Sequence, residues 1–272
     1  MTQNKLPLII SPEAFNELAE QENLLLVAVV QQAVFNVQHL PGSVLVEPSK
    51  LVSGIKPAVG KLPDKERLDA LFSRIGLTPD SHVVVYDDEG GGWAGRLIWT
   101  LDVIGHSRYS YIDGGLTAWR KMGFPLSADA EVKARPSTFS VTIHPERLVS
   151  KEAVLESIGN RDSIVWDARA PEEYAGTKVT ALRNGHIPGA VNLNWLDLQD
   201  ADNDLRLKPL PLIEQRLNEL GIHKGMKVIT HCQTHHRSGL TYLVGKALGY
   251  DISAYDGSWS EWGNDPETPV EN

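Results

Sequence analysis

The sequence has few features that would cross-link the chain or carry it into a membrane. It contains a single cysteine, Cys232, among 272 residues. An internal disulfide is therefore excluded, as are zinc modules built on two or more cysteines. No apolar run reaches the roughly 20 residues of a membrane span. The apolar stretch at 6–10, broken by Pro7, is too short for the core of a signal peptide. We therefore expect a cytoplasmic chain in a reducing compartment, with no membrane partner.

The sequence also contains fewer basic than acidic residues. The chain has 26 Lys and Arg against 35 Asp and Glu, a formal net charge of −9. This balance argues against nucleic acid or an anionic membrane as the main partner. The apolar share of 42% and the charged share of 22% are ordinary for a globular protein, and the length suits two domains. The lone thiol of Cys232 is then either a buried apolar group or the centre of the chemistry.

Four sequence blocks occur twice in the same order, and they decide the expected architecture. The offset between the two copies lies between 143 and 147 residues for every block, which indicates a duplicated domain. The paired blocks are HLPGSV and HIPGAV at 39–44 and 186–191, VVVY and VITH at 83–86 and 228–231, AGRL and SGLT at 94–97 and 238–241, and DGGLTAW and DGSWSEW at 113–119 and 256–262.

The offset also sets the domain boundaries. We predict an N-terminal domain at 1–126 and a C-terminal domain at 144–272. The linker between them, at 127–143, is polar and interrupted by Pro136. In both copies short apolar runs alternate with helical segments, which predicts two tandem α/β domains, each a mostly parallel sheet flanked by helices. In the second copy the predicted strands lie at 163–166 and 227–230, and the predicted helices at 212–220 and 237–248.

Cys232 follows one of the predicted strands directly. Loops that leave the carboxyl ends of parallel strands bind ligands, and the next helix, beginning near Arg237, adds positive potential there. Arg237 and the histidines at 231, 235 and 236 add real or potential positive charge, so we expect the thiol to ionise and act as a nucleophile. The candidate binding loop is Gln233, Thr234, His235, His236, Arg237 and Ser238.

Two other roles for this cysteine have to be weighed. A lone cysteine is most often a small buried apolar residue, but the neighbours here are polar and cationic. A metal site built from Cys232, His235 and His236 would lack a second ligand cluster nearby in the sequence. We therefore predict a catalytic thiol and no metal.

The first copy of the repeat serves as an internal comparison. Aligning Gly95 with Gly239 sets Asp88 opposite Cys232 and Trp93 opposite Arg237. The loop of the first copy therefore lacks both the thiol and the cation. We predict that the N-terminal domain is catalytically silent, packs against the second copy, and walls off one side of the active loop.

The chain as a whole resembles the tandem-domain rhodaneses, which are thiosulfate or related sulfurtransferases. The resemblance runs from near residue 8 to the C-terminus, and CQTHHR resembles the active loop of a bacterial subgroup. The residues that carry it are Phe35 with HLPG at 39–42, HIPGA at 186–190, CQTHHR at 232–237 and YDGSWSEW at 255–262.

The resemblance implies a ping-pong reaction that needs no cofactor beyond a covalent persulfide. The Cys232 thiolate would take the outer sulfur of thiosulfate or a similar donor and release sulfite. The acceptor of that sulfur would be cyanide, a small thiol or a thioredoxin-like protein.

Departures from the family pattern bear on the donor. Gln233 and Thr234 stand where thiosulfate enzymes of the family carry basic residues, and Glu173 stands where they carry a substrate-binding arginine. These losses weaken the case for thiosulfate as the physiological donor and leave Arg237 and the three histidines to supply positive charge. Asp167 and Arg169 match the family. They either orient the loop and steer an anion, with His231 in support, or form an ion pair that joins the strand end to its neighbouring loop.

Two rival functions use the same loop. Cysteine phosphatases of this fold, and arsenate enzymes of the same type, place five residues between the cysteine and the arginine. Here four residues separate Cys232 from Arg237, and the smaller loop suits one sulfur atom better than a tetrahedral phosphate. A non-enzymatic persulfide carrier or redox sensor is compatible with the same residues. Only turnover measurements separate it from an enzyme.

Overall fold

The computed structural model describes residues 6–18, 24–128 and 136–272, which form two α/β units of similar design. The first unit contains β1 (Ile9–Ile10), α1 (Pro12–Leu18), β2 (Leu24–Ala28), α2 (Gln32–Val37), β3 (Val44–Leu45), α3 (Lys65–Arg74), β4 (His82–Tyr86), α4 (Gly92–Val103), β5 (Tyr109–Ile112) and α5 (Gly115–Lys121). The second unit contains α6 (Lys151–Ser157), β6 (Ser163–Asp167), α7 (Pro171–Tyr174), β7 (Val191–Asn192), β8 (Gln199–Asp200), β9 (Arg206–Leu207), α8 (Leu210–Glu219), β10 (Lys227–His231), α9 (Arg237–Ala247), β11 (Asp251–Ala254) and α10 (Ser258–Trp262).

Each unit is built on a parallel sheet. The first sheet has the order β1-β5-β4-β2-β3 and the second the order β11-β10-β6-β7, and every neighbouring pair in both is parallel. Strands β8 and β9 form a separate antiparallel pair. The prediction of two tandem α/β domains with mostly parallel sheets is therefore confirmed. In the second sheet β10 is central, and its last residue, His231, pairs with Asp167 at the end of β6.

The duplicated HxPG blocks have the same structural role in both units. The ring of His39 stacks on Phe35 with centroids 3.8 Å apart, and its Nδ1 lies 2.8 Å from the backbone oxygen of Phe35. The ring of His186 stacks on Tyr174 at 3.7 Å, and its Nδ1 lies 2.9 Å from the Tyr174 oxygen. Because the histidine is used in the same way in both copies, the block supports the fold.

The predicted linker lies partly outside the described residues, since 129–135 are not described. Its later part packs along α3. The backbone N–H of Ser137 donates to the oxygen of Ser73 (3.0 Å), and that of Val141 to the carboxylate of Asp69 (2.7 Å). The boundaries 1–126, 127–143 and 144–272 stay a prediction. No helix in the described part of the chain combines the length and the apolar character that crossing a membrane requires.

The two units meet where α4 crosses α9, at the equivalent glycines of the repeat. A Cβ atom built on Gly95 would lie 2.2 Å from the backbone oxygen of Gly239, and one built on Gly239 would lie 2.3 Å from the oxygen of Gly92. The two backbones can approach this closely only because neither glycine has a side chain. The crossing brings the N-terminus of α4 beside the N-terminus of α9, where the active loop lies.

Candidate active site

Cys232 is the first residue after β10, in the turn that leads to α9, and it is 1% exposed. The block at 255–262 near the C-terminus holds this turn. The backbone N–H of Trp259 donates to the oxygen of Cys232 (3.0 Å), and that of Ser260 to the oxygen of Gln233 (2.9 Å). The block therefore fixes the loop that contains Cys232.

The environment of the thiol favours the thiolate. Burial alone raises the pKa of Cys232, because a buried charge is poorly solvated. The charge of Arg237, hydrogen bonds from the hydroxyl and the N–H of Ser238, and the charge of His236 outweigh burial, and the pKa is lowered. The site therefore combines a buried thiol with surroundings that favour its thiolate, which is the form that acts as a nucleophile.

The three histidines of the loop do not share one role. His231 and His235 are fully buried, and burial lowers the pKa of both, that of His235 to well below its usual range. Both are therefore neutral at neutral pH. The expectation that all three histidines add positive charge is wrong for these two. His236 is paired with Glu89 of the first unit, and Nε2 of His231 lies near the carboxylate of Asp167.

His235 also shapes the loop. Its backbone has a φ of 52°, in the left-handed region that few residues other than glycine adopt. Its Nδ1 lies 2.7 Å from the hydroxyl of Ser238, the residue that donates to the thiolate. The left-handed turn therefore positions a hydrogen-bond donor of the cysteine.

Arg237 is bound by Glu173, the residue that stands where a substrate-binding arginine is expected. Both terminal nitrogens of the guanidinium donate to the Glu173 carboxylate, at 2.5 and 2.9 Å. Burial raises the pKa of Glu173, but the hydrogen bonds and the charge of Arg237 outweigh it, and the pKa is lowered. Arg237 therefore lies beside the thiol, but both of its terminal nitrogens are already hydrogen-bonded to a carboxylate.

Gln233 and Thr234 take part in contacts that close the loop. The side chain of Gln233 exchanges two hydrogen bonds with Thr180, at 2.9 and 3.0 Å. Gly60 of the first unit lies against Thr234, because a Cβ at Gly60 would be 2.2 Å from the Thr234 oxygen.

Asp167 and Arg169 form an ion pair beneath the loop. The shortest contact is 2.6 Å, and both side chains are fully buried. The guanidinium also lies over the ring of Trp259 at 4.3 Å, and Nε2 of His231 is 3.5 Å from Asp167. Of the two readings of this pair, the geometry matches the ion pair that joins the strand end to its surroundings.

The first unit carries its own carboxylate in the matching loop. The N–H of Leu116 donates to the oxygen of Asp87, as Trp259 does to Cys232, so Asp87 is the structural counterpart of the cysteine. The alignment that set Asp88 there is wrong by one residue, because the first copy has one more residue before its helical glycine. The Asp87 carboxylate accepts hydrogen bonds of 2.8–3.2 Å from the N–H groups of Glu89, Gly90, Gly91 and Ala94.

The first unit forms one wall of the active loop. The ring of Trp93 stacks on His236 with centroids 4.3 Å apart, and Glu89 pairs with the same imidazole. Arg96, one turn further along α4, donates from Nη1 to the backbone oxygen of His235 (3.2 Å). The sequence predicted a wall but missed Arg96, although one arginine within the apolar run of α4 was an available signal.

The arrangement suits nucleophilic chemistry at an atom bound against the thiolate, beside the N-terminus of α9. Within residues 6–18, 24–128 and 136–272, no group of three or more His, Cys, Asp or Glu side chains is placed to hold a metal ion.

Two proteins named thiosulfate sulfurtransferase are similar to almost the whole chain. The protein from Azotobacter vinelandii is 47% identical over 267 residues, which cover 98% of this chain and 97% of the relative. The protein from Pseudomonas aeruginosa is 48% identical over 268 residues, with the same coverage of 98% and 97%.

The fold is similar to that of an anaerobic ergothioneine biosynthesis enzyme from Chlorobium limicola. The TM-score is 0.86 at 22% identity, over 97% of this chain and 70% of that one. An identity this low supports the fold alone. Residues 11–122 and 150–265 each match the Rhodanese-like domain. The chain therefore belongs to the rhodanese family and contains two rhodanese-like domains in tandem.

Proposed function

We propose that this chain is a thiosulfate sulfurtransferase that carries sulfur on Cys232. The observation that carries the proposal is a buried thiol at the carboxyl end of β10, next to Arg237 and Ser238, which favour its thiolate form. The similarity to two thiosulfate sulfurtransferases over nearly the full length supports thiosulfate as a donor.

In the first half-reaction the Cys232 thiolate attacks the outer sulfur of thiosulfate. A bond forms between the two sulfur atoms, the sulfur–sulfur bond of thiosulfate breaks, and sulfite leaves with the electron pair of that bond. The product is an anionic persulfide on Cys232. The N–H and the hydroxyl of Ser238 donate to the Cys232 sulfur, and together with the positive end of α9 they favour the negative charge that the persulfide carries.

In the second half-reaction a nucleophilic acceptor attacks the outer sulfur of the persulfide. With cyanide the product is thiocyanate, and the electron pair of the broken bond restores the Cys232 thiolate. A small thiol or a thioredoxin-like protein accepts the sulfur in the same way. Both steps are substitutions at sulfur and need no bound cofactor. They need a free thiol, so we place the protein in a reducing compartment such as the cytoplasm.

The geometry argues against phosphate ester chemistry at this loop. A phosphatase arginine uses both terminal nitrogens to hold the phosphate. Here both terminal nitrogens of Arg237 are held by Glu173. A persulfide carrier or redox sensor without turnover uses the same thiol, and the rate of the second half-reaction separates it from an enzyme.

Intact-mass spectrometry tests the proposal. Incubation with thiosulfate should add the mass of one sulfur atom to Cys232, and cyanide should then remove it with release of thiocyanate. The Cys232→Ser variant should show neither change. Absence of the adduct together with turnover of a phosphate ester would overturn the proposal, as would full transferase activity in the serine variant.

A further inference from the structure

A charged side chain of the silent domain lies buried behind the active loop. Arg96 is in the first half of α4, next to the glycine crossing with α9, and its side chain is fully buried. It is an unexpected residue at this place, because α4 is otherwise built almost entirely of apolar side chains.

The hydrogen bonds of Arg96 go to backbone oxygens and not to carboxylates. Nη2 donates to the oxygen of Leu51 (2.7 Å) and Nη1 to the oxygen of His235 (3.2 Å). The guanidinium lies over the ring of Trp99 at 4.6 Å. Within the described residues Nε has no hydrogen-bond partner, and no carboxylate forms an ion pair with this arginine. The positive charge of Arg96 is therefore not neutralised by an ion pair among these residues, and it can interact with charged groups further away.

Two negative groups lie close enough to favour the charged form of Arg96. They are Asp256 and the thiolate of Cys232, and they oppose burial, which lowers the pKa of Arg96 to about 10. At neutral pH the guanidinium is charged. A buried charge is costly unless something in its surroundings compensates it. The thiolate and the arginine supply part of that compensation to each other.

Arg96 is also connected to the thiol through hydrogen bonds. It holds the backbone oxygen of His235, the residue with the left-handed φ of 52°. The ring of His235 binds the hydroxyl of Ser238, and Ser238 donates to the thiolate. The path from the silent domain to the reacting sulfur therefore crosses only two intermediate residues.

We infer that Arg96 is a positioning residue, through which the silent domain holds the left-handed turn of the active loop and maintains a fixed positive charge behind the Cys232 thiolate. The inference rests on the proposed role of Cys232 as the nucleophile. It gives the silent domain a part in the chemistry, beyond covering one side of the loop.

The charged groups around the thiol come from both domains. Each of them can affect the pH at which Cys232 ionises. The charge of Arg96 is buried and lacks an ion-pair partner among the described residues, whereas Arg237 and His236 each contact a carboxylate. Among the described residues the set includes Arg237 with Glu173, His236 with Glu89, Arg169 with Asp167, the buried His231 and His235, Arg96, and Asp256.

The test is the pH dependence of Cys232 alkylation by iodoacetamide in the full chain, because the thiolate is the form that reacts. We expect Arg96→Met to move the midpoint upward by about one pH unit, which is a tenfold loss of thiolate below the midpoint. Arg96→Lys keeps the charge and should keep the midpoint. It should slow persulfide formation, since one ammonium group cannot reproduce the fork that binds both backbone oxygens.

Tyr242→Phe is the matched control. It removes the 2.7 Å hydrogen bond from Tyr242 of α9 to Asp102 of α4, a contact of the same two helices away from the loop. A shifted midpoint in Arg96→Met with an unshifted midpoint in Tyr242→Phe supports the inference. A folded Arg96→Met with the wild-type midpoint overturns it.

If Arg96→Met fails to fold, Arg96→Lys provides the test. A lysine variant that forms the persulfide at the wild-type rate overturns the inference. The alkylation readout needs no sulfur donor. A shifted midpoint in a chain that forms no persulfide would therefore overturn the proposed function and leave the inference in place.

Discussion

Glu173 binds both terminal nitrogens of Arg237, at 2.5 and 2.9 Å, and this pair lies at the active loop. Glu173 is 4% exposed and Arg237 is 18% exposed in their side chains, so water screens the pair only weakly. When an anionic donor approaches Cys232, the charge of Arg237 is already balanced by Glu173, and its terminal N–H groups are already hydrogen-bonded. We therefore expect the pair to set how strongly the site attracts a dianion such as thiosulfate.

The first prediction concerns Glu173→Gln. Glutamine keeps the shape of the side chain but removes its charge, so Arg237 becomes available to the donor. We expect the KM for thiosulfate to fall by about tenfold, or roughly 1.4 kcal/mol of donor binding, with little change in kcat. The measurement is steady-state transfer of sulfur from thiosulfate to cyanide.

Glu172→Gln is the control for this variant. Glu172 lies in the same short helix, carries the same charge and is exposed. Its replacement should leave the KM unchanged. A folded Glu173→Gln with the wild-type KM would show that the pair does not govern binding of the donor.

The second prediction concerns the stability of the same pair. Arg237→Ala leaves the largely buried carboxylate of Glu173 without its cation, and we expect the free energy of unfolding to fall by about 3 kcal/mol. The double variant Arg237→Ala with Glu173→Gln should recover most of this loss, because the uncompensated charge is gone. Denaturant unfolding at neutral pH measures both. Equal losses in the single and the double variant would contradict the assigned cause.

The position of Cys232 directly after a strand and before a helix could be predicted from sequence, whereas its role as the nucleophile stays a prediction. The parallel sheets followed from apolar runs that alternate with helical segments. Arg96 could not be predicted, since its place behind the loop depends on how closely α4 and α9 cross. The role of Asp87 was missed because the extra residue lies within a run of glycines, where sequence gives no register.

Glu173 could be predicted only in part, since the sequence pointed to the residue but not to its partner. The sequence identified it as a departure from the family pattern that weakens the case for thiosulfate as the physiological donor. Its partner was not foreseen, because the short helix that carries Glu173 and the start of α9 are 64 positions apart in the chain and meet only in the folded domain.

The third prediction concerns pH and the buried His235, whose pKa burial lowers to well below the usual value near 6.5. The unfolded chain binds a proton here below about pH 6.5, whereas the folded chain does not. The stability from this histidine is therefore complete above that pH and is lost as the pH falls. His235→Asn removes the titration and still tolerates the left-handed backbone.

We expect the variant to lose stability less steeply than the wild type between about pH 6.5 and 5.5. The two stability curves should diverge by about 1 kcal/mol across this window, and the difference in slope should approach about 1.4 kcal/mol per pH unit only below it. All titratable groups other than His235 are the same in the variant and in the wild type. Parallel stability curves for His235→Asn and the wild type would mean that His235 binds protons equally in the folded and the unfolded chain.

The fourth prediction concerns the glycine crossing that joins the domains. Gly95→Ala places a methyl group 2.2 Å from the backbone oxygen of Gly239, and a backbone cannot move aside as a side chain can. We expect the helices to separate, with a loss of about 2 kcal/mol in the free energy of unfolding.

Gly245→Ala in α9 is the matched control, because its added methyl group meets the flexible end of Ile252 and alanine is the better helix former. Separation of the helices should also withdraw Arg96 from His235, so Gly95→Ala should slow alkylation of Cys232 at neutral pH, whereas Gly245→Ala should not. A destabilised Gly95→Ala with the wild-type alkylation rate would mean that the reactivity of the thiol does not depend on the close contact between the domains.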